Sequence, residues 1–426
     1  MVKGEISKTA GGFAPGSRLV LLISHEMSLS GAPRSLLRQA CYMRDAGLRV
    51  VVWTMLPGRM ESRYADEGFS VETVSPEDRS VLRRRIEDLA PDLAVCNTFK
   101  TYRFADVLVS LRIPAIWFIR ETGDLKTPLA HDRDFRRVFL GFYNLYTVSE
   151  YARGIIAKYN PNVRFFNNSV EDSFRGFALP GEVLRFGFIG STVRRKGLRE
   201  LLAAFRAAFG DRRDVELRIA GAVDGSEEGE LLRKRYASLA SVVWLGEVTG
   251  ESKQAFFDSI DVLCMPSLDE PAGLSLLEGA MQGKALLATE TVGAGYIVGE
   301  GNGRVVPVAD LSGGLAYFDA HRAELPAMQR ESRRMYLQYA TPDRERAAVL
   351  EMVERNLGNV PPEPAQTRSV RQFFKKTDVD ADHWRFYLWG VPVLTCRKCK
   401  RVKRFARVML RRLGIDPTRF GFTPEE

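Results

Sequence analysis

Residues 268–284 read LDEPAGLSLLEGAMQGK, and the architecture follows from how this stretch is parsed. Just ahead of it, Val262 to Pro266 is an apolar run of strand length, closed by Ser267. Ser275 followed three residues later by Glu278, among leucines, is a capping-box pattern and predicts a helix from about Ser275. Gly283 supplies a stop, so the helix is short. The unit is a buried strand, a glycine-containing loop and a helix. Its helix presents unpaired N–H groups and a partial positive charge at the carboxyl edge of a sheet, which suits phosphate. Two carboxylates flank that point. Glu270 reads as a solvated loop acid or as a ligand group, and Glu278 as a helix cap or as a ligand group.

The same strand–loop–helix unit recurs along the chain. In the first half, strands are predicted at 18–24, 49–54, 71–74, 93–97, 115–119 and 145–149, with helices at 34–45, 80–89 and 102–111 between them. Phe165 to Val170 and Pro180-Gly181 read as an interdomain connection. Alternation then restarts, with strands at 184–189, 215–220, 242–245, 262–266 and 285–288 and helices at 198–209, 230–239 and 252–258. Regular β–α alternation predicts an α/β chain of two doubly wound, Rossmann-like domains facing across a cleft. The first strand is not followed by G-x-G-x-x-G, so no dinucleotide site is expected there.

Three further loops carry chemistry. Gly190-Ser191-Thr-Val-Arg194-Arg195-Lys196-Gly197 joins a strand end, three adjacent cations and a helix start, a candidate diphosphate clamp as against a solvated basic turn. His25-Glu26 to Gly31-Ala32-Pro33 follows the first strand and reads as a binding loop or a tight turn. Arg120-Glu121 follows the fifth strand. Arginine cannot serve as a base at neutral pH, but it can pair with a phosphate or an acidic substrate, the alternative being a surface ion pair.

Glu270-x7-Glu278 with Gly273 between resembles the Glu-x7-Glu signature of retaining glycosyltransferases of the GT-B fold, family four (glycosyl transferases group 1). Lys196-Gly197 matches that family's G-R-x-x-x-x-K-G loop, with Ser191 where the family has arginine. Ala272 stands where an aromatic residue is usual, and Arg120-Glu121 where His-Glu is common. The resemblance covers residues 18 to about 357. It implies transfer of a sugar from a nucleotide-diphosphate donor to a hydroxyl of a glycan or lipid-linked acceptor, with retained configuration. It implies Glu270, Lys196 and Arg120 as catalytic residues. Gly190, Ser191, Arg194, Arg195, Gly246, Gly273, Leu274, Ser275 and Glu278 fall on the donor side, and Gly31 and Ala32 on the acceptor side. Trp244-Leu-Gly246-Glu-Val248 would meet the nucleobase through its backbone, and Gly293 to Gly303 would be a mobile rim. No cofactor or metal is expected beyond a UDP-, GDP- or ADP-sugar, because cations and a helix end carry the charge. A non-catalytic GT-B subunit or scaffold, and a nucleotide-sugar epimerase or hydrolase, are the competing readings.

Charge is unevenly placed. From Arg368 onward, 15 Lys and Arg outnumber 6 Asp and Glu for a net of +9, equal to that of the whole chain, so residues 1–367 are neutral. Residues 397–412 carry basic side chains interleaved with Val402, Phe405, Val408 and Met409 at helical spacing. With Trp384, Tyr387 and Trp389 upstream, residues 384–413 are expected to meet an anionic membrane surface, ahead of packing on the enzyme, and no nucleic-acid partner is expected. Cys396-x-x-Cys399 lacks partners for a zinc site, and Asp380-Ala-Asp382 lies in a linker-like segment. Five cysteines, mostly in apolar runs, and no apolar run of the roughly 18 residues a spanning helix needs, suggest a cytoplasmic protein, peripheral at the inner membrane face. The expected segments are a flexible 1–16, an acceptor domain over 17–178, a nucleotide-sugar domain over 179–340, a helix at 341–358 returning to the first domain, and a linker and basic tail over 359–426.

Overall fold

Thirteen strands in two parallel sheets organise the computed structural model, which describes residues 18–177, 181–221, 227–237 and 239–362, and strands at 374–378, 383–388 and 391–397. The first sheet holds β1 (Leu19–Ser24), β2 (Arg49–Thr54), β3 (Val71–Thr73), β4 (Leu93–Asn97), β5 (Ala115–Phe118), β6 (Leu145–Thr147) and β7 (Val163–Phe165), in the order β3-β2-β1-β4-β5-β6-β7. The second holds β8 (Leu184–Ile189), β9 (Val215–Ala220), β10 (Val242–Gly246), β11 (Val262–Met265), β12 (Ala285–Thr289) and β13 (Gly303–Val306), in the order β10-β9-β8-β11-β12-β13. Both are the doubly wound arrangement, whose strand order reverses between β1 and β4 and between β8 and β11. Ligands of such sheets bind at the carboxyl ends of those strands. The loops singled out from sequence follow β1, β5, β8 and β11.

Parallel strands covered on both faces read as continuous apolar runs. All six residues of β1 are buried. Leu21, Ile23, Cys96 and Trp117 join one core face, while Val20, Leu22, Val95 and Ile116 join the other. In the first lobe the covering helices are α1 (Gly31–Asp45), α2 (Glu61–Asp66), α3 (Arg79–Leu89), α4 (Tyr102–Ser110), α5 (Lys126–His131), α6 (Arg133–Gly141) and α7 (Glu150–Ile156). In the second they are α8 (Leu198–Phe209), α9 (Glu227–Tyr236), α10 (Gly250–Asp258), α11 (Leu274–Met281), α12 (Leu311–Ala320) and α13 (Leu325–Tyr339). The last, α14 (Pro342–Asn356), returns to the first lobe. Val349, Met352 and Val353 complete the core beside Leu36 and Ala40 of α1, and buried Glu345 takes a two-pronged ion pair from Arg38 at 3.1 and 3.2 Å.

Several expectations change. The helix expected from Ser275 begins at Leu274, because Gly273, at φ 75°, is its left-handed cap and no side chain caps it. Phe165 belongs to an edge strand, β7, rather than to a connection. The glycine-rich rim is a packed turn, with Gly293, Ala294 and Ile297 buried. Part of the presumed linker and tail forms an antiparallel meander of β14 (Phe374–Asp378), β15 (His383–Leu388) and β16 (Val391–Arg397). The basic stretch at 398–413 and Trp389 lie outside the described residues. No helix among the described residues is long and apolar enough to cross a membrane.

Candidate active site

The loop after β8 and the loop after β11 pack directly on each other. Gly197 sits at φ 71°, and a β-carbon there would lie 1.8 Å from the Pro266 carbonyl oxygen, so only glycine permits this approach. The Leu268 N–H donates to the Arg195 carbonyl at 2.7 Å and fastens the two loops. The contact carries Lys196 to Glu270, 74 residues away in sequence, with Nζ 2.5 Å from Oε2. Arg195 reaches the same oxygen at 3.2 Å. The other oxygen, Oε1, accepts from the Gly273 N–H at 3.3 Å, at the cap of α11. The backbone of Glu270 is held on both sides, donating to Thr291 at 3.0 Å and accepting from Gly293 at 2.7 Å.

Electrostatics follow from this count. Two cations share the Glu270 carboxylate beside the amino end of α11. The Leu274 and Ser275 N–H groups there have no intrahelical acceptor. Lys196, Arg195 and Glu270 therefore meet at the Gly273 cap of α11, the helix that Leu274 and Ser275 begin, an arrangement competent to hold an anion. Arg194 does not join them. It turns back to Glu200 in the first turn of α8, 2.6 Å away. Gly190 and Ser191, both half-buried, follow β8, with Gly190 packed near the Lys196 side chain. Gly246 ends β10 at a bulge, its carbonyl accepting from the Gly221 N–H at 2.7 Å, and Gly221 packs on the Gly190 carbonyl.

Glu278 is not a cap. It faces away from the helix end and pairs with Lys253 of α10 at 2.6 Å. Both line a cavity of about 510 Å³ between the lobes, to which Gly31, Arg34 and Arg38 of α1 contribute from the opposite wall. The structure thus brings Gly31, expected on the acceptor side, and Glu278, expected on the donor side, into one cleft.

Arg120 departs from one of its two sequence alternatives, the surface ion pair, because its guanidinium is buried. That group is not hydrogen-bonded to the Glu121 carboxylate, which accepts from the Arg120 backbone N–H instead. Its Nε donates to Asn97 Oδ1 at 2.5 Å, its guanidinium lies 4.3 Å over the Phe118 ring, and its Nη2 has no partner among the described residues. Asn97 in turn donates to the Ala32 carbonyl at 3.3 Å, which joins Arg120 to the loop of Gly31 and Ala32. Burial pulls the guanidinium down to about 10. Glu121 accepts from the Arg120 and Phe99 N–H groups at 2.9 and 3.3 Å, and burial pushes its carboxyl up to about 7. Beside them, buried His25 is bonded to Thr98 Oγ1 at 3.0 Å, and burial, partly offset by Glu26, holds the imidazole below its usual range. Thr98 sits at φ 77°, ψ 159°, a region that L-residues rarely adopt. Sequence reasoning missed Thr98, Lys253 and Asp269, whose roles depend on partners distant in the chain.

Two family models match the chain: Glycosyl-transferase family 4 over residues 16–124 and Glycosyl transferases group 1 over residues 184–317. Together they cover more than half of it and take in every loop described above. The chain belongs to the group 1, family 4 glycosyltransferases. Among curated relatives of this family 4 chain, D-rhamnosyltransferase WbpZ of Pseudomonas aeruginosa is 37% identical over 127 residues, 29% of this chain and 32% of that protein. Uncharacterized glycosyltransferase MJ1607 of Methanocaldococcus jannaschii is 30% identical over 111 residues, 26% of this chain and 28% of that protein. The chain spans about a third of the length of these relatives. Solved structures share the GT-B fold at low identity. Anabaena Alr3699/HepE in complex with UDP and glucose superposes with a TM-score of 0.64 at 15% identity, covering 80% of this chain and all of that one. A glycosyltransferase from Rickettsia africae gives 0.66 at 13% identity, covering 80% of this chain and 100% of that one. WaaG, a glycosyltransferase involved in lipopolysaccharide biosynthesis, gives 0.59 at 15%, covering 78% and 99% respectively.

Proposed function

We propose that the protein is a retaining glycosyltransferase. It moves a sugar from a nucleotide-diphosphate donor to a hydroxyl of a glycan or lipid-linked acceptor in bacterial surface polysaccharide or lipopolysaccharide synthesis. The observation that carries this reading is the convergence of Lys196, Arg195 and Glu270 on the amino end of α11. As the bond from sugar C1 to the diphosphate oxygen breaks, negative charge grows on the leaving group. Lys196, Arg195 and the Leu274 and Ser275 N–H groups strengthen their hold as it does, which lowers the barrier. Glu270 orients the sugar next to that grip. Glu278, freed from Lys253, accepts from the ribose hydroxyls. The cavity wall bearing Gly31 receives the acceptor, whose oxygen forms the new bond to C1. The name of WbpZ, a D-rhamnosyltransferase, supports sugar transfer, and that of WaaG, involved in lipopolysaccharide biosynthesis, supports the class of product.

A thermal-shift panel of UDP-, GDP- and ADP-sugars tests the donor class. The right donor at about a hundred times its dissociation constant should stabilise the protein by roughly 2.7 kcal/mol. No shift with any of them sinks the proposal, and release of free sugar or an epimer without acceptor replaces it with hydrolysis or epimerisation. A non-catalytic subunit is the second reading, favoured by Ala272 and Ser191 at positions where the family carries an aromatic residue and an arginine. Donor binding without turnover across acceptor extracts supports it.

We further propose that the basic tail holds the protein at an anionic membrane surface. Each basic residue near such a surface contributes about 1 kcal/mol. Replacing Lys400, Arg401, Lys403 and Arg404 by glutamine should all but abolish co-sedimentation with phosphatidylserine-containing liposomes at low salt. Equal sedimentation of both proteins overturns the assignment.

A further inference from the structure

Asp269, one residue before Glu270, is bonded to the opposite lobe. Its Oδ1 accepts from the Thr122 hydroxyl at 2.5 Å and from the Tyr151 hydroxyl at 3.0 Å. Its Oδ2 accepts from the Gly123 N–H at 2.8 Å. All three donors belong to the first lobe, from the segment after β5 and from α7. The fit is close: a β-carbon on Gly123 would lie 2.6 Å from Oδ2. The next residues continue the contact. Ser149, which caps α7, donates to the Pro271 carbonyl at 2.6 Å, and Ala272 packs against the first lobe's core. The loop that carries Glu270 is therefore gripped on one side by Thr291 and Gly293 of its own lobe and on the other by Thr122, Gly123, Ser149 and Tyr151 of the facing lobe.

We propose that Asp269 is a positioning residue that ties Glu270's placement to closure of the two lobes. Three neutral donors satisfy one carboxylate, and hydrogen bonds to a charged acceptor are the strong ones. When the lobes part, those donors leave together, and the 269–272 segment loses its first-lobe contacts while Lys196 stays with the second lobe. Glu270 is then in place beside the leaving-group grip only in the closed form. Chemistry is confined to the state in which both substrates are enclosed, and water has less access to the activated sugar. Ala272 fits this role, since a small side chain lets the segment lie flat on the first lobe. The proposal deepens the transferase reading and rests on it for the part played by Glu270.

Three variants test it. Asp269→Asn keeps one acceptor oxygen but sets an amide NH2 group against a donor that the second carboxylate oxygen now satisfies. Tyr151→Phe removes one donor. Gly123→Ala leaves Asp269 intact and crowds its carboxylate out. Hydrogen exchange is read in peptides covering 119–125 and 266–273, together with transfer kinetics, nucleoside-diphosphate affinity and the ratio of donor hydrolysis to transfer. Asp269→Asn and Gly123→Ala should speed exchange in both peptides and lower kcat about ten- to a hundredfold, the scale of a small misplacement of a catalytic group. Affinity for UDP, GDP or ADP, whichever binds, should change by less than about twofold. Hydrolysis should gain on transfer, and Asp269→Glu should recover part of kcat. Unchanged exchange in both peptides overturns the clasp whatever the activity. Faster exchange with unchanged kcat overturns the positioning role and leaves Glu270's own role standing. An inert wild-type protein overturns the transferase reading instead, with the clasp still decided by exchange.

Discussion

Lys196→Ala should lower kcat for transfer by on the order of 10²- to 10³-fold, the cost typical of deleting one group aimed at developing charge. The expectation comes from geometry. Lys196 is held by a glycine that lets its loop lie against the end of β11, and its amine faces the α11 amino end beside Glu270. Its pull is greatest when the departing diphosphate is most negative, so kcat should suffer more than the affinity for intact donor. Arg195→Ala should behave similarly but less severely, because that side chain is more exposed and 3.2 Å from Glu270. Arg194→Ala should be near neutral, as its partner is Glu200. Equal turnover of Lys196→Ala and the wild type, with the donor that stabilises the protein, removes the leaving-group assignment.

Glu270→Gln should lower kcat by about a hundredfold or more while tightening binding of the nucleoside diphosphate product. The two effects have opposite signs for a physical reason. In the ligand-free protein the carboxylate occupies Lys196 and Arg195. An amide neutralises that competition and leaves both cations for the diphosphate, a gain of about 1 kcal/mol or fivefold in affinity. The sugar, in turn, loses the anion that orients it. Isothermal titration with the diphosphate and steady-state kinetics separate the two. Weaker diphosphate binding together with slower turnover means that Glu270 serves to build the phosphate site, not to orient the sugar.

Much of this arrangement was legible in the chain because parallel strands leave unbroken apolar runs. The segment 198–209 reads as a helix and is one, with Leu198, Leu201, Leu202, Phe205 and Phe209 buried at helical spacing. The partnership of Lys196 and Glu270 was reached only through family resemblance, since nothing local says that β8 and β11 are neighbours. Ser275 and Glu278 imitate a capping box, but a left-handed glycine sets the helix start and leaves Glu278 for Lys253. Arg120 reads as a contact to a phosphate or acidic substrate or as a surface ion pair, and its burial does not show, because the bond to Asn97, 23 residues away on β4, depends on which strands are neighbours. Thr98 gives no sign of its backbone strain, since threonine is not a residue type that announces a positive φ. The grip on Asp269 needs three residues of the other lobe and lies beyond any reading of one segment. The meander at 374–397 was hidden by basic and aromatic composition that pointed to a surface instead.

The return of α14 has a consequence for how the protein is made. Val349, Met352 and Val353 seal one face of the first sheet, yet they leave the ribosome after the whole second lobe. At about 5–20 residues per second, the strand ending at Phe165 waits roughly ten to forty seconds for them. For that interval the nascent first lobe exposes the groove beside α1 and shelters the Arg38 guanidinium without Glu345. Folding at the amino terminus is provisional until translation is nearly over, and the apolar groove is where a chaperone would have to stand guard.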